Sequence, residues 1–232
     1  SQGDDALDSL MVEIRCQGEP EVAYRAGQRF VRRIERRNDL VGASEGSVPE
    51  IRADGVYLIT GGLGALGLEA AQWLASAGAK TLVLVGRSAP TGSAQGAVTD
   101  LENRGVRMRF VSADLGDEVE VQRVFAAIAQ DRLPVRGVIH AAGALDDGPL
   151  REQHWKRVVD VLAGKALGAL WLDRATRTMS LDFFVLYSSI ASLLGSSGQA
   201  GYAAANAVLD ALAHRRRAQG RHALSVQWGP WA

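Results

Sequence analysis

An apolar run, Val56 to Thr60, passes straight into Thr60-Gly61-Gly62-Leu63-Gly64-Ala65-Leu66-Gly67 and on into the Ala-rich stretch Leu66 to Ala77, closed by Gly78. A chain that turns from a wholly apolar strand into a helix through glycines has few folds open to it. Glycine permits the tight turn and lets backbone N–H groups come close to a ligand. The N-terminus of the following helix adds a partial positive charge suited to a pyrophosphate. Flavin sites use similar glycines, and a purely structural turn needs them too, so the loop alone leaves its ligand open.

The rest of the chain narrows the choice. From Gly55 onward, short apolar runs alternate with helical stretches. Thr81 to Val85, Arg107 to Ser112, Val135 to Ala141, Phe183 to Tyr187 and Ala223 to Trp228 read as strands. Ala94 to Asn103, Glu118 to Gln130 and Tyr202 to Gln219 read as helices, and Glu152 to Thr178 as a long helical stretch that bends near Gly164 or Gly168. Continuous apolar strands separated by helices predict an α/β fold, a parallel sheet covered on both faces. The expectation is a Rossmann-type doubly wound sheet with strand order 3-2-1-4-5-6.

Residues 1–50 look different. Met11 to Arg15 reads as a short strand, and Val22 to Tyr24 with Arg29 to Ile34 as a hairpin turning at Gly27. The basic segment Arg32 to Arg37 reads as a solvated face, and Asn38 to Asp54 as a linker. The expected division is 1–50 as the tail of a neighbouring module with its linker, and 51–232 as the cofactor-binding domain.

Composition excludes several function classes. Lys+Arg and Asp+Glu each total 26 in 232 residues, so no basic field argues for nucleic acid, and no basic amphipathic segment argues for a membrane surface. No apolar run is long enough to span a bilayer, and the N-terminus lacks the regions of a signal peptide. Cys16 stands alone and the histidines are scattered, so neither an internal disulfide nor a metal-ligand spacing appears. A reducing, cytoplasmic setting is the default expectation.

The end of the second strand of the α/β region speaks to the cofactor. NAD sites usually carry Asp or Glu there for the ribose 2′-hydroxyl; this chain has Gly86-Arg87-Ser88. A guanidinium pairs with a 2′-phosphate where a carboxylate cannot, which predicts NADPH. Asp114 follows the third strand, where it can accept from an adenine amino group. Ala141-Ala142-Gly143 ends the fourth strand level with the glycine loop, small enough for a cofactor to lie close.

Tyr202 and Asn206 are four apart and share a helix face. Ser189 follows the fifth strand, whose C-terminal end should open on the crevice. Ser189 is then placed to hydrogen-bond a substrate carbonyl, and Tyr202 to donate the proton as general acid. A phenol titrates near ~10, so it needs a neighbouring cation to work near neutrality. Spacing does not name that cation, and the pair alone would equally suit a half-buried tyrosine beside a polar surface residue.

The chain resembles the short-chain dehydrogenase/reductase superfamily and, within it, the ketoreductase domains of type I modular polyketide synthases. The matching pieces are Tyr57-Leu58-Ile59-Thr60-Gly61-Gly62, Val85-Gly86-Arg87-Ser88, Ala113-Asp114-Leu115, His140-Ala141-Ala142-Gly143, Tyr187-Ser188-Ser189, Gly198-Gln199, Tyr202-Ala203-Ala204-Ala205-Asn206 and Trp228-Gly229-Pro230-Trp231. The resemblance implies cofactor contacts from Thr60, Gly61, Gly62, Leu63, Gly64, Leu66, Gly67, Arg87, Ser88, Asp114, Leu115, Ala141, Ala142, Gly143 and Pro230. Most short-chain reductases place lysine four residues after the tyrosine. This chain has Asn206 there, as the ketoreductase domains do, and the resemblance moves the cation to Lys165 on the earlier helix.

In that family the triplet Leu145-Asp146-Asp147 marks B-type domains, which give the D-configured β-hydroxyl. A-type domains carry tryptophan where this chain has Leu194. These residues and Gln199 are the implied stereocontrol positions. The implied reaction is NADPH-dependent reduction of a β-ketoacyl thioester carried on the phosphopantetheine of an acyl carrier protein, beside other domains of the same synthase. A fatty acid synthase-type or free-standing reductase, and a non-catalytic Rossmann scaffold, are the competing readings. The family's complete domain also has a large structural subdomain ahead of the catalytic one and a lid helix beyond its last strand. On this reading residues 1–50 are the end of the former and the lid is lacking, so weak NADPH binding or inactivity is expected of the chain by itself.

Overall fold

The structure is a computed structural model that describes residues 2–16, 18–19, 21–36 and 49–230. Much of the expected linker, and Trp231 of the closing motif, lie outside the described residues. The chain forms two compact units, 1–48 and 49–232.

In the first unit, helix α1 (Gln2–Arg15) precedes a hairpin of β1 (Val22–Arg25) and β2 (Gln28–Val31). The hairpin is as expected: Val22 pairs with Val31, and both turn residues, Ala26 and Gly27, have positive φ. The strand expected at Met11 to Arg15 is instead the end of α1. Leu7, Leu10, Met11 and Ile14 recur at helical spacing, and this longer period prevails over the short alternation around Glu13. Glu13 accepts hydrogen bonds from Tyr24 Oη at 2.9 Å and Arg29 Nη2 at 3.1 Å.

The second unit holds a six-stranded parallel sheet. Its strands are β3 (Val56–Thr60), β4 (Thr81–Gly86), β5 (Arg107–Ser112), β6 (Val135–His140), β7 (Phe183–Ser189) and β8 (Leu224–Trp228), in spatial order β5-β4-β3-β6-β7-β8. Numbered within the sheet, that is 3-2-1-4-5-6, the doubly wound order expected. Strand alternation feeds two cores. Tyr57 and Ile59 pack with Leu82, Leu84 and Ile139 against α2 (Ala65–Ser76) and α3 (Gly92–Asn103). Val56 and Leu58 pack with Val83, Val138 and Leu186 against α4 (Glu118–Ala129), α6 (Gly168–Ala175) and α8 (Ala200–Ala218).

The long helical stretch is interrupted where Gly164 and Gly168 stand. α5 (Trp155–Leu162) and α6 are joined by a single π-helical turn, Ala163–Leu167, with Lys165 at its centre. Such a turn inserts one residue into the helix and re-aims its side chains, a device frequent at functional sites. A short helix, α7 (Ala191–Leu194), fills the loop between β7 and α8. No helix among the described residues is long and apolar enough to cross a membrane.

One buried ion cluster ties α6 to α8. Asp173, 1% exposed, accepts from Arg216 at 2.6 Å, Arg221 at 2.7 Å and Arg215 at 2.8 Å. The buried Arg216 guanidinium also lies 3.9 Å from the centroid of the Phe184 ring. Burial pushes the Asp173 carboxyl up, but the arginine hydrogen bonds outweigh it and hold the group below its usual range. Removing the acid strands buried positive charge, so Asp173→Ala is expected to cost about 3 kcal/mol, a fall in Tm of roughly 6–12 °C by thermal unfolding. A Tm within about 2 °C of wild type would deny the cluster this role.

Candidate active site

The glycine loop opens a cleft of about 710 Å³ along the C-terminal edge of the sheet. Gly61 shapes its floor. Its φ is +64°, and a Cβ there would lie 2.7 Å from the backbone nitrogen of Ala142, so only glycine lets the loop rest on the end of β6. Gly61, Leu63, Gly64, Arg87, Ser88, Asp114, Leu115 and the segment Ala141 to Gly143 all line this cleft. Gly62 and Gly67 are buried beneath the loop and line neither this cleft nor the smaller one. Arg87 is exposed, and no ion pair among the described residues engages its guanidinium. Asp114 uses one oxygen to accept from Gly116 N at 2.9 Å. An apolar-walled cleft of this volume with a glycine floor and an uncommitted guanidinium at one end suits a phosphorylated dinucleotide.

Thr60 is fully buried, and its hydroxyl turns inward, 2.7 Å from His140 Nδ1. The other ring nitrogen, Nε2, lies 2.8 Å from the Lys165 carbonyl. A carbonyl only accepts, so Nε2 carries the proton and Nδ1 accepts from Thr60. Burial lowers the His140 pKa to about 4, keeping the ring neutral. The imidazole thus pegs the π turn to β3 and β6, satisfying a carbonyl of the turn that bears Lys165.

From that turn the Lys165 side chain crosses to the end of β7. It is 4% exposed, and Nζ donates to the Tyr187 carbonyl at 2.9 Å and lies 5.5 Å from the centroid of the Tyr202 ring. Burial lowers the Lys165 pKa to about 8, and the negative charge of Asp210 opposes the fall. Tyr202 stands in the first turn of α8. With Lys165, Ser189, Leu66 and Leu145 it lines a second cleft of about 200 Å³, which meets the larger one at Ala141, Gly143 and Ala144. Asn206, one turn on, is fully buried; Nδ2 donates to the Tyr202 carbonyl at 2.9 Å, and Oδ1 is buried without a protein partner.

The remaining singled-out residues lie around this centre. Asp147 accepts from Gln199 Nε2 at 2.8 Å, and Asp146 is bound by Arg157. Leu194, on α7, is 67% exposed and lines neither cleft. Pro230 follows Gly229, which lines the smaller cleft, but Pro230 itself does not.

Two residues at the site escaped the sequence reading. Asp210 gathers Ser192 Oγ at 2.6 Å, Ser225 Oγ at 2.5 Å and Gln227 Nε2 at 2.8 Å, and Ser192 Oγ also lies 2.9 Å from the Ser189 carbonyl. This network braces the turn carrying Ser189. Its signal was present: Tyr202, Asn206 and Asp210 recur every four residues on one face. Arg157 gives no such signal, because its partner lies in a loop.

A family model described as the KR domain matches residues 55–232. The chain is 45% identical over 216 residues to polyketide synthase GfsA of Streptomyces halstedii, covering 93% of this chain and 3% of that protein. It therefore spans a small part of the length of that relative. Among solved structures, a ketoreductase domain from the bacillaene assembly line superposes with TM-score 0.85 at 32% identity, covering 96% of this chain and 54% of that one. An A1-type ketoreductase gives TM-score 0.85 at 37% identity, covering 93% and 45%.

Proposed function

The chain belongs to the KR domain family, and from that premise we propose that it reduces the β-keto group of an acyl thioester during polyketide chain extension, with NADPH as reductant. One observation carries the reading: Lys165, Ser189 and Tyr202 line a single small cleft that meets the glycine-loop cleft at Ala141, Gly143 and Ala144. When bound, the nicotinamide supplies the hydride. Ser189 Oγ holds the substrate carbonyl, and Tyr202 gives its phenolic proton to the oxygen that develops charge. The Lys165 ammonium stabilises the resulting tyrosinate. Asn206 fixes the start of α8 through its bond to the Tyr202 carbonyl. The glycine loop and Asp114 are assigned to the pyrophosphate and adenine ends, and Arg87 with Ser88 to the 2′-phosphate.

The substrate is carried by the phosphopantetheine of an acyl carrier protein, and other synthase domains are the partners. Leu145, Asp146 and Asp147, with leucine at 194, support a B-type outcome, the D-configured β-hydroxyl. Backbone likeness does not bear on this point, since an A1-type structure superposes with TM-score 0.85 and a C2-type structure with 0.81.

The reading is tested by following NADPH oxidation with a β-ketoacyl thioester, on this chain and on a longer polypeptide that carries it. Stereospecific turnover in either supports it, and absence of turnover in both removes it. An L-hydroxyl product would refute the B-type assignment alone. Arg87→Asp is expected to raise the NADPH KM about 10- to 100-fold, the worth of a charged hydrogen bond, while sparing NADH. Equal losses with both cofactors would detach Arg87 from the 2′-phosphate.

A further inference from the structure

Residues 141–149, which include the acidic triplet, have no regular secondary structure. Leu145 lines the small cleft beside Lys165, Ser189 and Tyr202, yet it is 65% exposed, so burial alone does not hold it. A side chain that shapes a reaction cleft from an irregular loop needs that loop pinned.

The pinning comes from two sides. On one side stands α5. Arg157 Nε donates to Asp146 Oδ1 at 2.8 Å, Nη2 donates to the same oxygen, and Nη2 also reaches the Asp147 carbonyl at 2.8 Å. The guanidinium lies close against the next residue: a Cβ on Gly148 would stand 2.9 Å from Arg157 Nη1. On the other side is the turn leading into α8. Gln199 Nε2 donates to Asp147 Oδ2, and Gly148 N donates to the Gly198 carbonyl, both at 2.8 Å. That turn sits three residues before Tyr202. The loop is therefore strung between α5 and the tyrosine's own helix, and among the described residues Arg157 supplies every side-chain bond from the α5 side to Asp146 and Asp147. Its hydrogen bond holds the Asp146 carboxyl below the usual range, so the pair stays ionised at neutral pH.

We propose that Arg157 is the specificity-setting latch of this site: a positioning residue, away from the reacting atoms, that fixes Leu145 against the cleft and so decides which face of the carbonyl is reduced. Only the stereochemical consequence rests on the reduction proposed above; the latch itself does not. Leu145 adjoins Asp146 in the chain, and consecutive Cα atoms are ~3.8 Å apart, so releasing Asp146 releases Leu145. With Leu145 loose, the substrate can enter in either orientation while Lys165, Ser189 and Tyr202 stay in place.

The test uses Arg157→Gln, which keeps helix propensity and removes the charged fork, and Arg157→Lys, which keeps the charge without the fork. Amide hydrogen exchange at Gly148, which needs no turnover, is expected to quicken about tenfold or more in the glutamine variant, as loss of a charge-assisted hydrogen bond would give, and less in the lysine variant. Unchanged exchange overturns the latch. With a β-ketoacyl thioester the minor β-hydroxy enantiomer is expected to rise about tenfold, a shift of ~1.4 kcal/mol between the two transition states, while total turnover falls less than about threefold. An unchanged enantiomer ratio with a fallen rate overturns the specificity role and leaves Arg157 a merely structural residue. If the wild-type chain and the longer polypeptide both fail to reduce the thioester, the proposed function falls and the exchange measurement still decides the latch.

Discussion

Tyr202→Phe is expected to lower the rate of thioester reduction by about 10³-fold while changing the NADPH dissociation constant less than about twofold. The phenolic oxygen is all that the substitution removes. Phenylalanine fills the same place in the first turn of α8, keeps the Asn206 bond to the backbone carbonyl of residue 202 and leaves a ring beside Lys165. The cleft and the glycine loop should therefore be unchanged. What is lost is the proton delivered to the substrate oxygen. Single-turnover reduction measured beside cofactor titration checks this. Reduction persisting at a tenth of the wild-type rate or more would refute the proton-donor role.

Lys165→Met should cost about 10²–10³-fold in kcat, because the buried cation that stabilises tyrosinate is gone while the aliphatic stem remains. Its pH behaviour is the sharper test. Burial lowers the wild-type lysine from 10.5 to about 8. The useful charged form exists below that value, so kcat should decline as pH rises through about 8, and the methionine variant should be slow and flat there. The stability contribution has the opposite sign. Between about 8 and 10.5 the unfolded chain holds this proton and the folded one does not, so the lysine's contribution to stability rises with pH across that window. Activity falling while Tm holds would separate loss of chemistry from unfolding. A wild-type profile flat to pH 10 would remove Lys165 from the catalytic step.

The fold was legible because its signals are periodic. Apolar runs, intervening helical stretches and closing glycines predicted six strands and their order, and Gly164 and Gly168 marked the place where the π turn interrupts the helix. Met11 to Arg15 was misread where a strand-like alternation sits inside a helical period, and the single-turn helix Ala191–Leu194 is too short to show a period. Candidate site residues were legible where they occupy a strand end or a helix face, as Arg87, Ser189, Tyr202 and Asn206 do. Lys165 came from family resemblance, since nothing in the spacing links it to Tyr202. Asp210 was readable from its face and was missed. Arg157 was not readable at all.

By itself the amino-acid sequence determined the sheet, its winding, the glycine floor of the cleft and the facing pair Tyr202 and Asn206, all consequences of local period and backbone freedom. The tertiary structure alone decided that Lys165 reaches Tyr187 and the Tyr202 ring, that His140 pegs the turn beneath it, and that Arg157 pins Asp146. Those contacts join segments distant in the chain through a π turn and an irregular loop. There a side chain's direction is set by the packing of neighbouring elements, and no sequence period encodes it.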